Sequence, residues 1–485
     1  MCYAISMKRF YLLFVFSLLN VICFAQKDLF DLKSAQSSVY AKYVGGKEII
    51  NKNSSWRLNP ASVAKLFTTA AALDTFGPDY TFSTEIYYSG KIKGNTLEGD
   101  IYIVGGGDPT LASKYFDKSL EDVTSSWVRA LEMQGIKKIE GNIYGDNTLF
   151  KDNTLPVYTT YQNIGNYFAA PADALTIKDN SFTLYFEPSV SEGALGKIAK
   201  IEPEECAIPI EVKAYHTNKI SREDSYLNFV PLENKMVISG RLPLSDDPIE
   251  VFGAMTQPAL FTAQYFKQKL IENGIKVKGK AALGAKESYS QDNLICSQTS
   301  VPLREIVQRI NKRSINLYAD ILLRHLGKGS AEEGTKEIKK YLSKMGVDSS
   351  STTLYDGSGL ARADLTTCKT IVNLLEKVSE QSYSQDFSDS LSLVGSSLDM
   401  GNMSKRMKNT LAAGNAKIKT GSIDGVRAHA GYINDKEGHQ IAFCIISNNF
   451  EISKSEIDTL HEEIILSLAS LNKKFLKPSK RTNKK

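Results

Sequence analysis

At 485 residues the chain is too long for one ordinary hydrophobic core, and its 42% hydrophobic and 23% charged content is that of a globular protein of two or three domains. The formal charge of +5 is small for this length and argues against a nucleic-acid partner. The five histidines lack metal-ligand spacing and no H-E-x-x-H occurs, so a metal site is not expected.

Residues 1–25 read as a removable leader. Lys8 and Arg9 precede an apolar run from Phe10 to Phe24, closed by Cys23-Phe24-Ala25 before the polar Gln26-Lys27-Asp28. A signal peptide cut after Ala25 would deliver the mature protein to the periplasm; an uncleaved anchor is the alternative. Cleavage would leave Cys206, Cys296, Cys368 and Cys444, too scattered for a disulfide framework.

Alternation from Ser34 to Gly46 predicts a strand. Asn59-Pro60 then interrupts the chain before an Ala-rich helix from about Ser62 to Phe76, with Ser62 at its start and Lys65 one turn on, on the same face. About half of the chain separates Lys65 from Ser314. Much of it reads as strands broken by Gly, Asn and Asp, among them Thr84–Tyr88, Ile101–Val104, Ile139–Tyr144 and Ser181–Phe186. Helices are predicted over Leu120–Met133, Leu260–Glu272, Leu303–Ile310, Ile315–Leu326, Thr335–Met345 and Thr366–Val378. Three end at Gly135, Gly274 and Gly346, each a C-cap that should release the chain into a strand.

The C-terminal pattern is an antiparallel meander. Lys417–Gly421 passes through Asp424-Gly425 into Ala428–Ile433, and a turn at Asn434–Gly438 leads to Gln440–Ser447. The capping box Ser453-Lys454-Ser455-Glu456 opens a last helix. Strands flanked by N- and C-terminal helices would place both ends of the chain in one α/β domain. The basic run Lys473–Lys485 reads as a solvated tail, with loose attachment to anionic lipid or wall polymer as the alternative.

Three short motifs occur in order: Ser62-Val63-Ala64-Lys65, Ser314-Ile315-Asn316 and Lys419-Thr420-Gly421. Each is weak alone, since Ser470 and Lys473 repeat the first and Ser447-Asn448-Asn449 repeats the second by chance. Together they supply a nucleophile, a base, a proton relay and a carboxylate clamp for acyl transfer through a serine ester. No histidine is placed to deprotonate Ser62, which leaves Lys65. Free lysine titrates at about 10.4, so appreciable neutral amine near neutral pH requires lowering its pKa by roughly 3, about 4 kcal/mol. Burial beneath Ser62 and repulsion from Lys419 would act in that direction. Ser314 could relay a proton to the leaving amine and Asn316 hold a substrate amide, with Ile315 packing inward. Lys419 and Thr420 could bind a carboxylate, while Gly421 admits the substrate backbone. Two other motifs are decoys. Gly274 to Lys280 lacks the Ser or Thr of a P-loop, and Gly105-Gly106-Gly107-Asp108-Pro109 reads as a tight turn.

With the segments Gly105–Leu111, Ala169-Ala170-Pro171 and Asp356-Gly357-Ser358-Gly359-Leu360, the chain resembles the penicillin-binding D-alanyl-D-alanine carboxypeptidase/endopeptidase family, class C low-molecular-mass type. The resemblance implies a β-lactamase/transpeptidase-like domain, an antiparallel sheet flanked by helices, over 26–84 and 293–475. A mostly-β region of one or two small domains at 85–292 would split it, and 476–485 would be a disordered tail. It further implies an acyl-enzyme between Ser62 and the penultimate D-Ala of a peptidoglycan stem peptide, with Lys65 as base. Ser314 would relay protons, Asn316 position the peptide, and Lys419 and Thr420 hold the terminal carboxylate. The backbone N–H groups of Ser62 and Ser422 would form the oxyanion hole. β-Lactam antibiotics would be covalent inhibitors, and neither a metal nor an organic cofactor would be needed. Arg362 matches the family's substrate-side-chain arginine. Departures stand at Ile315, at Gly401-Asn402-Met403, and at Gln162 and Asn163, where the family tends to carry an acidic residue. A β-lactamase on the same fold and a non-catalytic wall-binding scaffold are the competing readings.

Overall fold

The computed structural model describes residues 35–472 apart from 153, 154, 156, 207, 231, 232, 234 and 285–289. The expected leader at 1–25 and tail at 476–485 lie outside the described residues. A six-stranded sheet forms the centre, in the order Ser392–Leu393, Lys417–Ile423, Val426–Asn434, Gln440–Asn448, Gln36–Tyr43, Glu48–Lys52. Gln36–Tyr43 pairs antiparallel along Gln440–Asn448, from Gln36 opposite Asn448 to Tyr43 opposite Ile441. The first and the last strand of the described residues therefore pair in one sheet.

Both faces of this sheet are covered, so its central strands are buried along nearly their whole length, polar Arg427 and His429 included. Val39, Ala41, Phe443 and Ile445 face the C-terminal helix Lys454–Ala469 through Ile457, Ile464 and Leu468. That helix begins with the expected capping box between Ser453 and Glu456. On the opposite face, Tyr40, Ala428, Ala430 and Ile446 pack with the helices Lys65–Phe76, Asn316–Leu326 and Cys368–Val378. The helix Lys65–Phe76 is buried from Lys65 to Leu73, and its alanines let neighbouring helices approach on every side. Cys368 and Cys444 are fully buried free thiols in this core.

The inserted region centres on a five-stranded sheet in the order Ala281–Leu283, Ile143–Asp146, Ile101–Gly105, Ser83–Tyr88, Leu294–Thr299. Trp127 of the helix Leu120–Met133 meets Phe266 of the helix Pro258–Glu272 edge-on in its core. Smaller sheets follow, one of which pairs Asp224–Val230 with Lys235–Pro243. The expected boundaries, 84/85 and 292/293, fall within the strand Ser83–Tyr88 and just before the strand Leu294–Thr299, which are hydrogen-bonded to each other. Next to this pair, Phe82 N–H donates to Ser300 Oγ (2.9 Å) and Ser300 N–H to the Phe82 carbonyl (2.8 Å).

Two further expectations change. The single strand predicted at Ile139–Tyr144 is two, Lys138–Ile139 and Ile143–Asp146, in different sheets. Gly141 makes the break, because a Cβ there would lie 2.3 Å from the Gly99 carbonyl oxygen. Gly135 and Gly274 do release the chain into strands, and these pair in parallel. After Gly346 the chain turns instead, with Ser350 N–H bonded to the Asp348 carboxylate (2.9 Å).

Candidate active site

Ser62 sits in a one-turn 3-10 helix, Ala61–Ala64, and Lys65 opens the α-helix behind it. Asn59 fixes this turn from three directions. Its Oδ1 accepts from Ala61 N–H (2.8 Å), and its Nδ2 donates to the carbonyls of Ala361 and Arg362 (3.2 and 3.1 Å). Its backbone exchanges two hydrogen bonds with the Asn448 side chain at the end of the central sheet.

Lys65 is fully buried, and its Nζ lies 2.9 Å from Ser62 Oγ, 2.6 Å from Asn316 Oδ1 and 2.6 Å from the Ser358 carbonyl. The two carbonyl-type oxygens can only accept. A neutral amine therefore spends its two N–H groups on them and aims its lone pair at the Ser62 hydroxyl, the geometry of a general base. Burial pulls the Lys65 pKa down to about 8, against the opposing pull of Asp320, Asp356 and Asp364. About a tenth of the amine is then neutral at pH 7.

Ser314 adopts the left-handed conformation (φ 60°) at the end of the helix Leu303–Arg313, and the next helix starts at Asn316. This tight junction projects Ser314 and Asn316 outward while Ile315 packs against the main core. Asn316 is oriented by its Nδ2, which donates to the Phe168 carbonyl of the insertion (2.8 Å). Lys419, also fully buried, donates to Ser314 Oγ (2.9 Å) and to the Thr420 carbonyl (2.7 Å). Burial, then the charges of Lys65 and Arg427, hold its pKa well below the usual lysine value. Repulsion between the two ammonium groups thus reinforces burial at Lys419, and burial is the first cause at both lysines. Among the described residues Lys419 has no carboxylate partner, and a substrate carboxylate would supply one.

Ser62, Ser314, Asn316, Arg362 and Ser422 line one cavity of about 800 Å³, with Gln162 and Asn163 at its far wall. Arg362 reaches over it, donating to the Asp424 carbonyl (2.6 Å). Thr420 is buried beside the cavity, and its carbonyl accepts from Lys419 Nζ. Gly421 is required by the chain itself: a Cβ there would lie 2.5 Å from the Pro60 carbonyl oxygen, so only glycine lets this strand close on the Ser62 turn.

Sequence reasoning missed the carboxylates behind Lys65. Asp356 accepts from the N–H groups of Ser358, Gly359 and Ala361 (3.1, 2.6 and 2.7 Å), folding the loop that presents the Ser358 carbonyl. Asp320 accepts from Gly357 N–H (2.8 Å), and burial with the Asp356 charge raises its pKa to about 7. Asp364 is raised well above the ordinary range by burial and the adjoining Asp356. Their available signal was the Asp356–Leu360 run, whose glycines mark a tight loop without indicating its neighbours. Among the described residues no helix is long and apolar enough to cross a membrane.

A family model described as the D-Ala-D-Ala carboxypeptidase 3 (S13) family matches residues 24–471. A D-alanyl-D-alanine carboxypeptidase of an Actinomadura species is 31% identical over 418 residues, 83% of this chain and 76% of that one. The D-alanyl-D-alanine carboxypeptidase DacB of Haemophilus influenzae is 26% identical over 441 residues, 88% of each chain. The crystal structure of penicillin binding protein 4 (dacB) from Haemophilus influenzae superposes with a TM-score of 0.79 at 25% identity, covering 93% of this chain and 99% of that one. The same protein has been solved in complex with a β-lactam, at a TM-score of 0.73.

Proposed function

Because the chain belongs to the D-Ala-D-Ala carboxypeptidase 3 (S13) family and is a penicillin-binding serine carboxypeptidase/endopeptidase, we propose that it cleaves peptidoglycan stem peptides through an acyl-enzyme on Ser62. The observation that carries this assignment is the Lys65 amine, buried, 2.9 Å from Ser62 Oγ and with its other contacts restricted to acceptors. Ser62 Oγ attacks the carbonyl of the penultimate D-Ala and passes its proton to Lys65 Nζ. As the C–N bond breaks, the leaving amine takes a proton through Ser314, which Lys419 holds in place. Water then occupies the vacated position, loses a proton by the same route and splits the ester, returning the hydrogen to Ser62.

Lys419 opposes the terminal carboxylate, and the N–H groups of Ser62 and Ser422 face the developing oxyanion. Arg362 contacts the side chain of the stem peptide. β-Lactams acylate the same serine, in keeping with the β-lactam complex of the Haemophilus influenzae relative. The reaction takes place in the periplasm, reached through the leader at 1–25. The test is incubation with purified muropeptides followed by mass spectrometry. Pentapeptides should lose one alanine and cross-linked dimers should split; unchanged muropeptides at high enzyme concentration would overturn the reading.

A further inference from the structure

A second, smaller cavity of about 150 Å³ lies on the other side of Ser314. Ser314, Asn316, Tyr167 and Phe168 border both cavities, whereas Arg362 and Asp424 border only the larger one. Ser314 therefore stands on the partition between two chambers. If the acyl part of the substrate fills the larger chamber and the leaving nitrogen takes its proton at Ser314, any substituent on that nitrogen must continue past Ser314. A single D-Ala ends there; a longer leaving group enters the small chamber.

The chemistry of its walls indicates what that group is. Lys114 Nζ is caged by three rings, 4.6 Å from the centroid of Phe252, 5.5 Å from Tyr115 and 5.6 Å from Tyr167. Arg313, adjacent to Ser314, is exposed. Among the described residues neither cation has an ion-pair partner. The carboxylate of Asp179, also in the wall, is occupied by internal donors: the Tyr318 hydroxyl (2.9 Å) and Lys114 N–H (3.2 Å). The chamber thus offers aromatic faces, the cation of Arg313 and that of Lys114, the latter also attracted by the Asp179 carboxylate behind it, which suits an alkyl chain flanked by carboxylates.

We propose that this chamber is the leaving-group subsite for cross-linked substrates, taking the alkyl side chain and carboxylates of the second stem peptide when the enzyme acts as an endopeptidase. The assignment rests on the acyl-enzyme reading above. Its test compares kcat/KM on a cross-linked muropeptide dimer with kcat/KM on a pentapeptide that releases only D-Ala, in the wild type, Lys114→Gln, Arg313→Gln and Lys114→Arg, with fluorescent penicillin acylation reporting the integrity of Ser62 in each. Loss of one charge-assisted contact should lower the dimer-to-pentapeptide ratio at least about tenfold in each glutamine variant, with Lys114→Arg restoring most of it. An unchanged ratio in penicillin-reactive glutamine variants would overturn the subsite, as would a wild type that processes the pentapeptide but not the dimer. Failure of the wild type to react with penicillin or with either peptide would overturn the acyl-enzyme reading itself, and the subsite with it.

Discussion

In the proposed mechanism Lys65 acts as a base only in its neutral form, so its surroundings make a prediction about pH. With the pKa lowered to about 8, acylation by a β-lactam should rise with pH and level off above about 8, because deprotonation creates the base. Stopped-flow acylation between pH 6 and 10 measures this; a pH-independent rate would remove Lys65 from the role. Asp320 pulls in the opposite direction, so Asp320→Asn should move the inflection to lower pH. An inflection displaced upward would show that Asp320 does not act on Lys65 as a charge. Lys65→Ala should slow acylation by several orders of magnitude. Ser62, Lys65, Ser314, Asn316 and Lys419 were legible in the sequence because their chemistry requires fixed residue types at short spacing. Asp320, Asp356 and Asp364 were not: they act by proximity after folding, and scattered carboxylates have no pattern that distinguishes a buried one from a solvated one.

At the scale of elements, the site depends on three close approaches: the 3-10 turn at Ser62, the left-handed junction at Ser314 and the strand Lys417–Ile423 pressed against the first. Gly421→Val would place a Cβ within 2.5 Å of the Pro60 carbonyl oxygen and push strand and turn apart. It should reduce penicillin acylation at least about tenfold while the far-ultraviolet circular dichroism stays native. Wild-type acylation in that variant would mean the contact is slack. The meander, the capping box at Ser453 and the helix Leu120–Met133 were readable because strand alternation, cap chemistry and helical period all agree within a few residues. The break at Gly141 and the turn after Gly346 were not, since a glycine between two apolar runs fits a bulge, a turn or a sheet boundary equally well.

Across the whole molecule, we propose a catalytic unit closed at Phe82 and Ser300, with the insertion between them as a second unit that shapes the site rather than merely flanking it. One helix, Asn316–Leu326, meets the insertion along its whole length. Asn316 is oriented by Phe168, Tyr318 donates to Asp179 (2.9 Å), and His325 lies against the Gly107 carbonyl (3.1 Å). A Cβ at Gly107 would lie 2.2 Å from His325 Nε2, which gives the triple-glycine turn a docking purpose that its sequence did not disclose. Phe150, Ala172 and Ala174 of the insertion also belong to the catalytic core. Calorimetry should accordingly show one cooperative unfolding transition, and two well-separated transitions would refute the coupling. In the proposed mechanism Ser62 becomes acylated. Incubating the protein with penicillin, digesting it and locating the added mass by peptide sequencing in the mass spectrometer measures this. The adduct should map to Ser62 and vanish in Ser62→Ala; an adduct on any other residue, or labelling that persists in Ser62→Ala, would contradict it.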